Sequence, residues 1–149
     1  MKPLYIFDID GTLADLTHRL HYIAKPNPRW DKFNASISYD TPIQPTITTC
    51  QVLREWADVW YFTGRMDIHK SRVDTEAWLS KHVIGGDPNV TMRALNDTRP
   101  DDIIKQEMLD RMLDEDRNRL VAVFDDRQRV VDMWRRNNVT CYQVAPGDY

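Results

Sequence analysis

The sequence predicts an α/β fold, a mostly parallel sheet with helices on both faces, and two observations support this prediction. First, short apolar runs that suit buried strands alternate along the chain with longer stretches of helical periodicity. Second, three of the apolar runs end in polar pairs, which are Asp8 with Asp10, Thr63 with Arg65, and Asp125 with Asp126. Because the carboxyl ends of parallel strands lie at one edge of a sheet, we expect these pairs to converge on one site.

The first predicted strand, residues 4–7, is an unbroken apolar run that leads into the motif Asp8-x-Asp10-Gly11-Thr12. Two carboxylates this close repel each other unless a cation lies beside them, and Mg²⁺ is a hard cation that carboxylate oxygens suit. Asp8 is placed to bind such an ion and to attack phosphorus as a nucleophile. Asp10 is the candidate general acid for the leaving oxygen and then the general base for water. The alternative is an ordinary turn, in which Asp and Gly are common.

Residues 14–45 show no clear periodicity, and they carry several aromatic residues and four prolines. We expect a small insertion here, a flap or minimal cap over the site, because long irregular stretches inside compact domains are usually functional. The aromatic residues argue against disorder. The alternative is a packed surface loop, and we expect the rings of Trp30 and Phe33 to fill the edge of the core in that way.

The rest of the chain continues the alternation of helices and strands. In chain order we predict a helix over 46–57, a strand over 59–62, a helix over 67–83, a strand over 89–92, a helix from Asp101, a strand over 120–124, a helix over 127–137 and a strand over 139–144. The acidic residues at 101 and 102 suit the N-terminus of a helix.

The later strand ends and loops supply candidate ligands for a phosphate and a metal ion. Thr63 and the N–H group of Gly64 could bind a phosphoryl oxygen. Asp125 and Asp126 could supply metal oxygens, one directly and the other through water, although capping of the following helix would explain one of them. Lys105 could neutralise the nucleophile, but its spacing alone predicts a solvated surface lysine.

Three arginines, Arg19, Arg65 and Arg93, could form bidentate contacts with phosphate or carboxylate groups. Their expected use is to hold negative charge on the substrate. The alternative for each of them is a surface ion pair worth at most about 1 kcal/mol.

The composition limits the classes of function. With 42% hydrophobic and 29% charged residues, the 149-residue chain is predicted to form a single soluble domain over residues 1–149. A formal net charge of −3 argues against a generally basic nucleic-acid coat. Cys50 and Cys141 lie in apolar patterns, which predicts buried, reduced thiols and a cytoplasmic location, the host cytoplasm if a phage encodes the chain. We see no signal peptide and no run long enough to span a membrane.

These motifs, in this order, resemble the haloacid dehalogenase (HAD) superfamily of phosphotransferases, which implies a Rossmann-like HAD fold. The likeness extends to the 3′-phosphatase domain of phage polynucleotide kinase–phosphatase, and it is most specific in the tail from residue 125 to Asp148. In that family the matching positions carry the active site, and all nine hold the family's residue type here. They are Asp8, Asp10, Arg19, Arg65, Arg93, Asp101, Lys105, Asp125 and Asp126.

The resemblance implies a Mg²⁺-dependent phosphatase that acts through an aspartyl-phosphate and removes 3′-phosphate from DNA or RNA ends. Its metal ligands would come from Asp8, Asp10, Asp125 and Asp126. Two alternatives stay open, a phosphatase of free nucleotides or other small phosphomonoesters and a non-catalytic module that binds nucleic-acid ends or a partner. No Gly-x-x-x-x-Gly-Lys-Ser/Thr loop occurs in the sequence, so we expect no ATP-dependent 5′-kinase activity from this chain.

Overall fold

Two sheets, both built from short strands, organise the computed structural model, which describes residues 1–147. The strands are β1 (Leu4–Phe7), β2 (Ala14–Asp15), β3 (Thr41–Pro42), β4 (Asp58–Met66), β5 (Val90–Arg93), β6 (Leu120–Asp125) and β7 (Cys141–Gln143). Five of them pair in parallel in the order β5-β4-β1-β6-β7, and β2 pairs with β3 in antiparallel fashion. The predicted parallel sheet is therefore confirmed. Asp148, in the tail motif, lies outside the described residues.

The order of the strands places β1 at the centre of the sheet. The chain runs outward from β1 through β4 to β5, and then returns to the other side of β1 to add β6 and β7. The crevice beyond the carboxyl ends of the strands, where the order reverses, is the usual ligand site of an open α/β sheet. The residues that directly follow β1 and end β6 therefore lie at this crevice.

Six α-helices are present in the described part of the chain. They are α1 (Trp30–Ala35), α2 (Gln44–Arg54), α3 (His69–Leu79), α4 (Asp101–Asp110), α5 (Asp114–Arg119) and α6 (Gln128–Arg136). The predicted helix over 67–83 is confirmed in its position, but its last turn is a π-helical turn, Ser80–Ile84, that ends at left-handed Gly85. Helix α5 was not predicted, because it is wholly polar, buries no side chain and so shows no apolar periodicity.

The core lies in two layers, one on each face of the sheet. Successive side chains of β1 point to opposite faces, so Ile6 packs with Trp134 on the side of α4 and α6, while Phe7 packs with Trp78 on the side of α2 and α3. Both cysteines are buried and unbridged, as predicted. Within residues 1–147, no helix has the length and apolar character needed to cross a membrane.

The insertion over 14–45 is ordered and forms a small unit against α3. It contains the β2–β3 ladder, α1 and two 3₁₀ turns, Thr17–Ile23 and Ile37–Tyr39. Phe33 is buried, as predicted, but the prediction for Trp30 is wrong, because 56% of this residue is exposed. The buried ring of Phe33 covers the core edge, and the ring of Trp30, the first residue of α1, packs edge to face on the outside of it.

Candidate active site

Three buried carboxylates meet where the central strands end. Asp8 follows β1, Asp125 ends β6 and Asp126 follows it, and each offers an oxygen within 4.8 Å of the other two. The predicted convergence of the polar strand ends is therefore confirmed for β1 and β6. All three residues are almost completely excluded from solvent.

Asp125 and Asp126 have different partners. One oxygen of Asp125 accepts hydrogen bonds from the N–H groups of Asp126 (2.8 Å) and Arg127 (3.2 Å), so Asp125 fixes the turn into α6. Neither carboxylate oxygen of Asp126 has a hydrogen-bond partner within the described residues. Helix α6 begins without a side-chain cap hydrogen bond, so the capping alternative explains neither aspartate. A buried carboxylate without partners is costly, which leaves Asp126 in need of a cation.

Lys105 lies between two of these carboxylates. Its Nζ donates to Asp8 Oδ1 and to Asp125 Oδ2, both at 2.7 Å. The expectation of a surface lysine is therefore wrong, because α4 turns Lys105 inward beside Ile104 and Met108 and leaves it 2% exposed. Burial alone would lower the pKa of Lys105, but the charges of Asp125 and Asp8 outweigh it and raise that pKa above its ordinary value.

The cluster carries an excess of negative charge that a divalent cation would balance. One lysine offsets one of the three carboxylates, which leaves two negative charges. Burial, together with the charge of Asp125, raises the pKa of Asp8 well above its usual range and the pKa of Asp126 to about 6. An all-oxygen set with an unpartnered buried carboxylate fits Mg²⁺, which Asp8, Asp125 and Asp126 would hold. Asp10 lies outside this cluster, and its part in metal binding stays a prediction.

Asp8 is oriented by a second contact from its own loop. The hydroxyl of Thr12, which is fully buried, donates to Asp8 Oδ2 at 3.1 Å. Gly11 has φ of 80°, and this left-handed turn brings Thr12 back beside the strand end. Both oxygens of the candidate nucleophile are thus held in place by a hydrogen-bond donor.

Asp10 faces a pair of arginines instead of the metal cluster. The closest contact joins Arg65 Nη2 to Asp10 Oδ1 at 2.6 Å, and Arg19 Nη2 reaches the same oxygen at 3.1 Å. Burial alone would raise the pKa of Asp10, but the charge of Arg65 and its hydrogen bonds lower it, with Arg19 adding to the effect. Asp10 is therefore a charged carboxylate in this conformation.

A second buried aspartate, Asp40, completes this arginine network. It accepts from Arg19 Nε at 2.7 Å and from Arg65 Nη2 at 2.9 Å, and His18 Nε2 lies 2.7 Å from it. Asp40 was not predicted, because a single aspartate in an irregular loop has the same sequence pattern as an ordinary turn residue. Its two arginine partners, Arg19 and Arg65, lie 21 and 25 residues away along the chain.

Arg19 has no exposed surface and lies over the ring of Phe33, 4.2 Å from its centroid. The structure thus gives Arg19 the role of anchoring Asp10 and Asp40, and direct contact with a substrate stays a prediction that this conformation does not support. Contact of Thr63 with a phosphoryl oxygen likewise stays a prediction, because this residue is fully buried and its hydroxyl accepts a hydrogen bond from the backbone N–H of Arg65 at 3.1 Å. Gly64, the next residue, does line the cavity described below.

Arg93 and Asp101 close one side of the site. Arg93 donates to the carbonyl of Gly64 at 2.7 Å, pairs with Asp101, and contacts two further carbonyls in the loop before α4. Asp101 also pairs with Arg127, a residue that the sequence analysis did not single out. A Cβ atom at Gly64 would lie 2.5 Å from Asp101 Oδ1, so a larger residue here would displace the Asp101 carboxylate.

These side chains surround a cavity of about 650 Å³. Six aspartates and four lysine or arginine side chains line it, so without a cation the lining would repel a phosphate. Apolar side chains also line this cavity, and we call six of them the apolar wall, namely Leu16, Leu20, Ile23, Trp30, Met66 and Ile68. This wall was not predicted, because its residues come from the irregular insertion, from the end of β4 and from the loop that follows it.

Comparison with known proteins gives the family and the fold. The model for the polynucleotide kinase PNKP phosphatase domain matches residues 2–149. A chain of the Pnkp1/Rnl/Hen1 RNA repair complex is 31% identical, with a TM-score of 0.81 over 99% of this chain and 44% of that chain. A second structure of a Pnkp1/Rnl/Hen1 complex is 32% identical, with a TM-score of 0.78 over 99% of this chain and 48% of that chain. The chain therefore spans less than half the length of these relatives.

A more distant likeness concerns the fold alone. A haloacid dehalogenase-like hydrolase, SP0104 from Streptococcus pneumoniae, is 12% identical, with a TM-score of 0.59 over 95% of this chain and 84% of that one. The predicted HAD fold is thereby confirmed. Since the family model covers nearly the whole sequence, the chain belongs to the family of polynucleotide kinase PNKP phosphatase domains.

Proposed function

We propose that this chain is a Mg²⁺-dependent phosphatase that removes the 3′-phosphate from DNA or RNA ends through an aspartyl-phosphate on Asp8. The observation that carries the proposal is the position of Asp8. Its carboxylate lines the cavity, is held by Lys105 and Thr12, and lies within the cluster that would bind Mg²⁺. Membership of the PNKP phosphatase family supports the same chemistry.

In the first step an oxygen of Asp8 attacks phosphorus, the bond from phosphorus to the 3′-oxygen breaks, and an acyl-phosphate forms on Asp8. In the second step water attacks phosphorus, the bond to Asp8 breaks and inorganic phosphate leaves. When bound by the carboxylates, Mg²⁺ supplies positive charge that offsets the acidic lining and stabilises the phosphoryl oxygens. Lys105 offsets the charge of Asp8 from the other side and fixes its direction of attack.

Asp10 is the candidate for both proton transfers, and its surroundings favour the second. The ion pairs with Arg65 and Arg19 hold it deprotonated, which is the state that takes a proton from the attacking water. Donation to the leaving oxygen in the first step needs a protonated Asp10, which the same ion pairs oppose. Movement of this side chain away from Arg65 would remove that opposition.

The similarity to a chain of an RNA repair complex supports nucleic-acid ends as the substrate. The cavity is also large enough for a free nucleotide, so its volume equally favours the alternative of a phosphatase that acts on free nucleotides. The deciding experiment measures phosphate release with Mg²⁺ from 3′-phosphorylated RNA and DNA oligonucleotides, nucleoside 3′-monophosphates and glycerol phosphate.

We expect the oligonucleotides to give the highest kcat/KM. Asp8→Asn and an excess of chelator are the two controls that must abolish the signal. Higher efficiency on mononucleotides would favour the small-substrate alternative. No release from any substrate would favour a binding module without catalysis.

A further inference from the structure

The apolar wall of the cavity has no part in the chemistry proposed above. Phosphoryl transfer at Asp8 uses the charged lining, while the wall presents aliphatic side chains and the indole of Trp30. Single exposed aromatic residues are common, but Trp30, which is 56% exposed, differs in lining the same cavity as Asp8 together with other apolar residues. A ligand with one apolar face and one phosphate would use both sides of this cavity.

Trp30 is held in a fixed place. Its ring meets the ring of Phe33 edge to face, with centroids 5.6 Å apart and an angle of 85°. Phe33 is itself buried beneath the guanidinium of Arg19, which belongs to the network that holds Asp10. The indole thus packs on a buried residue that is linked, through Arg19, to Asp10.

We propose that Trp30, with the apolar wall, is the stacking platform for the base of the 3′-terminal nucleotide, whose phosphate lies at Asp8. The inference rests on the proposed function and names the part of the substrate that the insertion recognises. Every nucleobase has a π-face that stacks on an aromatic side chain, so such a platform tolerates any base. The rest of the wall is aliphatic, so it would add affinity for the nucleoside and favour nucleotides over simple phosphomonoesters.

The test compares two oligonucleotides that differ only in whether the 3′-terminal, phosphorylated residue carries a base or is abasic. Wild-type protein should hydrolyse the complete substrate with a kcat/KM that is higher by on the order of 10- to 100-fold, the range that stacking on one aromatic ring gives. Trp30→Ala should reduce that ratio to near one, because only the complete substrate has a base to stack. Trp30→Phe should keep most of the ratio.

Trp56 provides a matched control, because it is 79% exposed and does not line the cavity. Trp56→Ala should therefore keep the wild-type ratio. The inference is overturned if the wild type treats both substrates alike, or if Trp30→Ala slows both by the same factor. The second result would mean that Trp30 supports the shape of the site and does not contact the base.

A binding measurement separates failure of the inference from failure of the proposed function. Fluorescence anisotropy of the labelled oligonucleotides with the Asp8→Asn protein should show tighter binding of the complete substrate, and Trp30→Ala in that background should abolish the difference. If the wild type releases no phosphate from either substrate, the proposed function fails. The anisotropy difference then decides the inference alone, and equal binding overturns it.

Discussion

Asp40 is the residue whose replacement tests the arginine network most directly. It is buried, and with Asp10 it balances two buried guanidinium groups, those of Arg19 and Arg65. Asp40→Asn keeps the shape of the side chain and removes its charge. Two guanidinium groups then share one carboxylate, and the new amide N–H group faces one of them.

The size of the effect follows from the burial of the network. Removing one partner of a buried ion pair typically costs about 3–5 kcal/mol, because the remaining charge cannot regain its hydration. For a domain whose total stability is of the order of 5–15 kcal/mol, this is a large fraction. With a urea dependence of about 2 kcal/mol per molar, the unfolding midpoint should fall by roughly 2 M. Turnover should fall as well, since Arg19 and Arg65 fix the position of Asp10.

Urea unfolding followed by circular dichroism measures the first effect, and kcat on a 3′-phosphorylated oligonucleotide measures the second. Asp31→Asn is a matched control in the same insertion, because Asp31 pairs with Arg29 at the surface, where both side chains are more than half exposed. The control should leave the midpoint unchanged. A midpoint for Asp40→Asn equal to that of the control would refute the reasoning about the buried network.

The remaining predictions concern the metal cluster and its surroundings. Asp8→Asn should abolish phosphate release and keep the circular dichroism spectrum, and normal turnover would reassign the nucleophile. Removal of Mg²⁺ by a chelator should abolish activity and leave the fold intact, since the sheet positions the carboxylates by itself; unfolding on chelation, seen by circular dichroism, would contradict this. Because burial and Asp125 raise the pKa of Asp126 to about 6, its charge at pH 7 opposes folding, so Asp126→Asn should stabilise the metal-free protein by roughly 1–3 kcal/mol. For the same reason the metal-free wild type should gain stability as the pH falls from 7 to 5. Denaturant unfolding at both pH values measures this gain, which should be smaller in Asp126→Asn. Gly64→Ala should displace Asp101 and lower kcat/KM, whereas equal kinetics would show that Asp101 can move without consequence.

The sequence by itself determined the sheet and the edge at which the site lies. A buried parallel strand must be apolar on both faces, so β1 and β6 are visible as short apolar runs. The polar residues that end those runs are local to the strands, and parallel topology brings them to one edge. For this reason Asp8, Asp125 and Asp126 could be placed together before any coordinates were known.

Only the packing of whole elements decides which single side chains are buried and which residues they contact. Lys105 has the spacing of a surface residue, and it is buried because α4 packs against β4 and α6 and points this side chain at Asp8 and Asp125. Asp40 and Trp30 lie in an irregular segment, where no periodicity says which side chain faces inward. Contacts between residues far apart in the chain depend on how whole elements pack, and a local pattern does not contain that information. The arginines show the same effect, because no local pattern indicated that Arg19 and Arg65 hold Asp10 and Asp40. Their contact with a substrate stays a prediction.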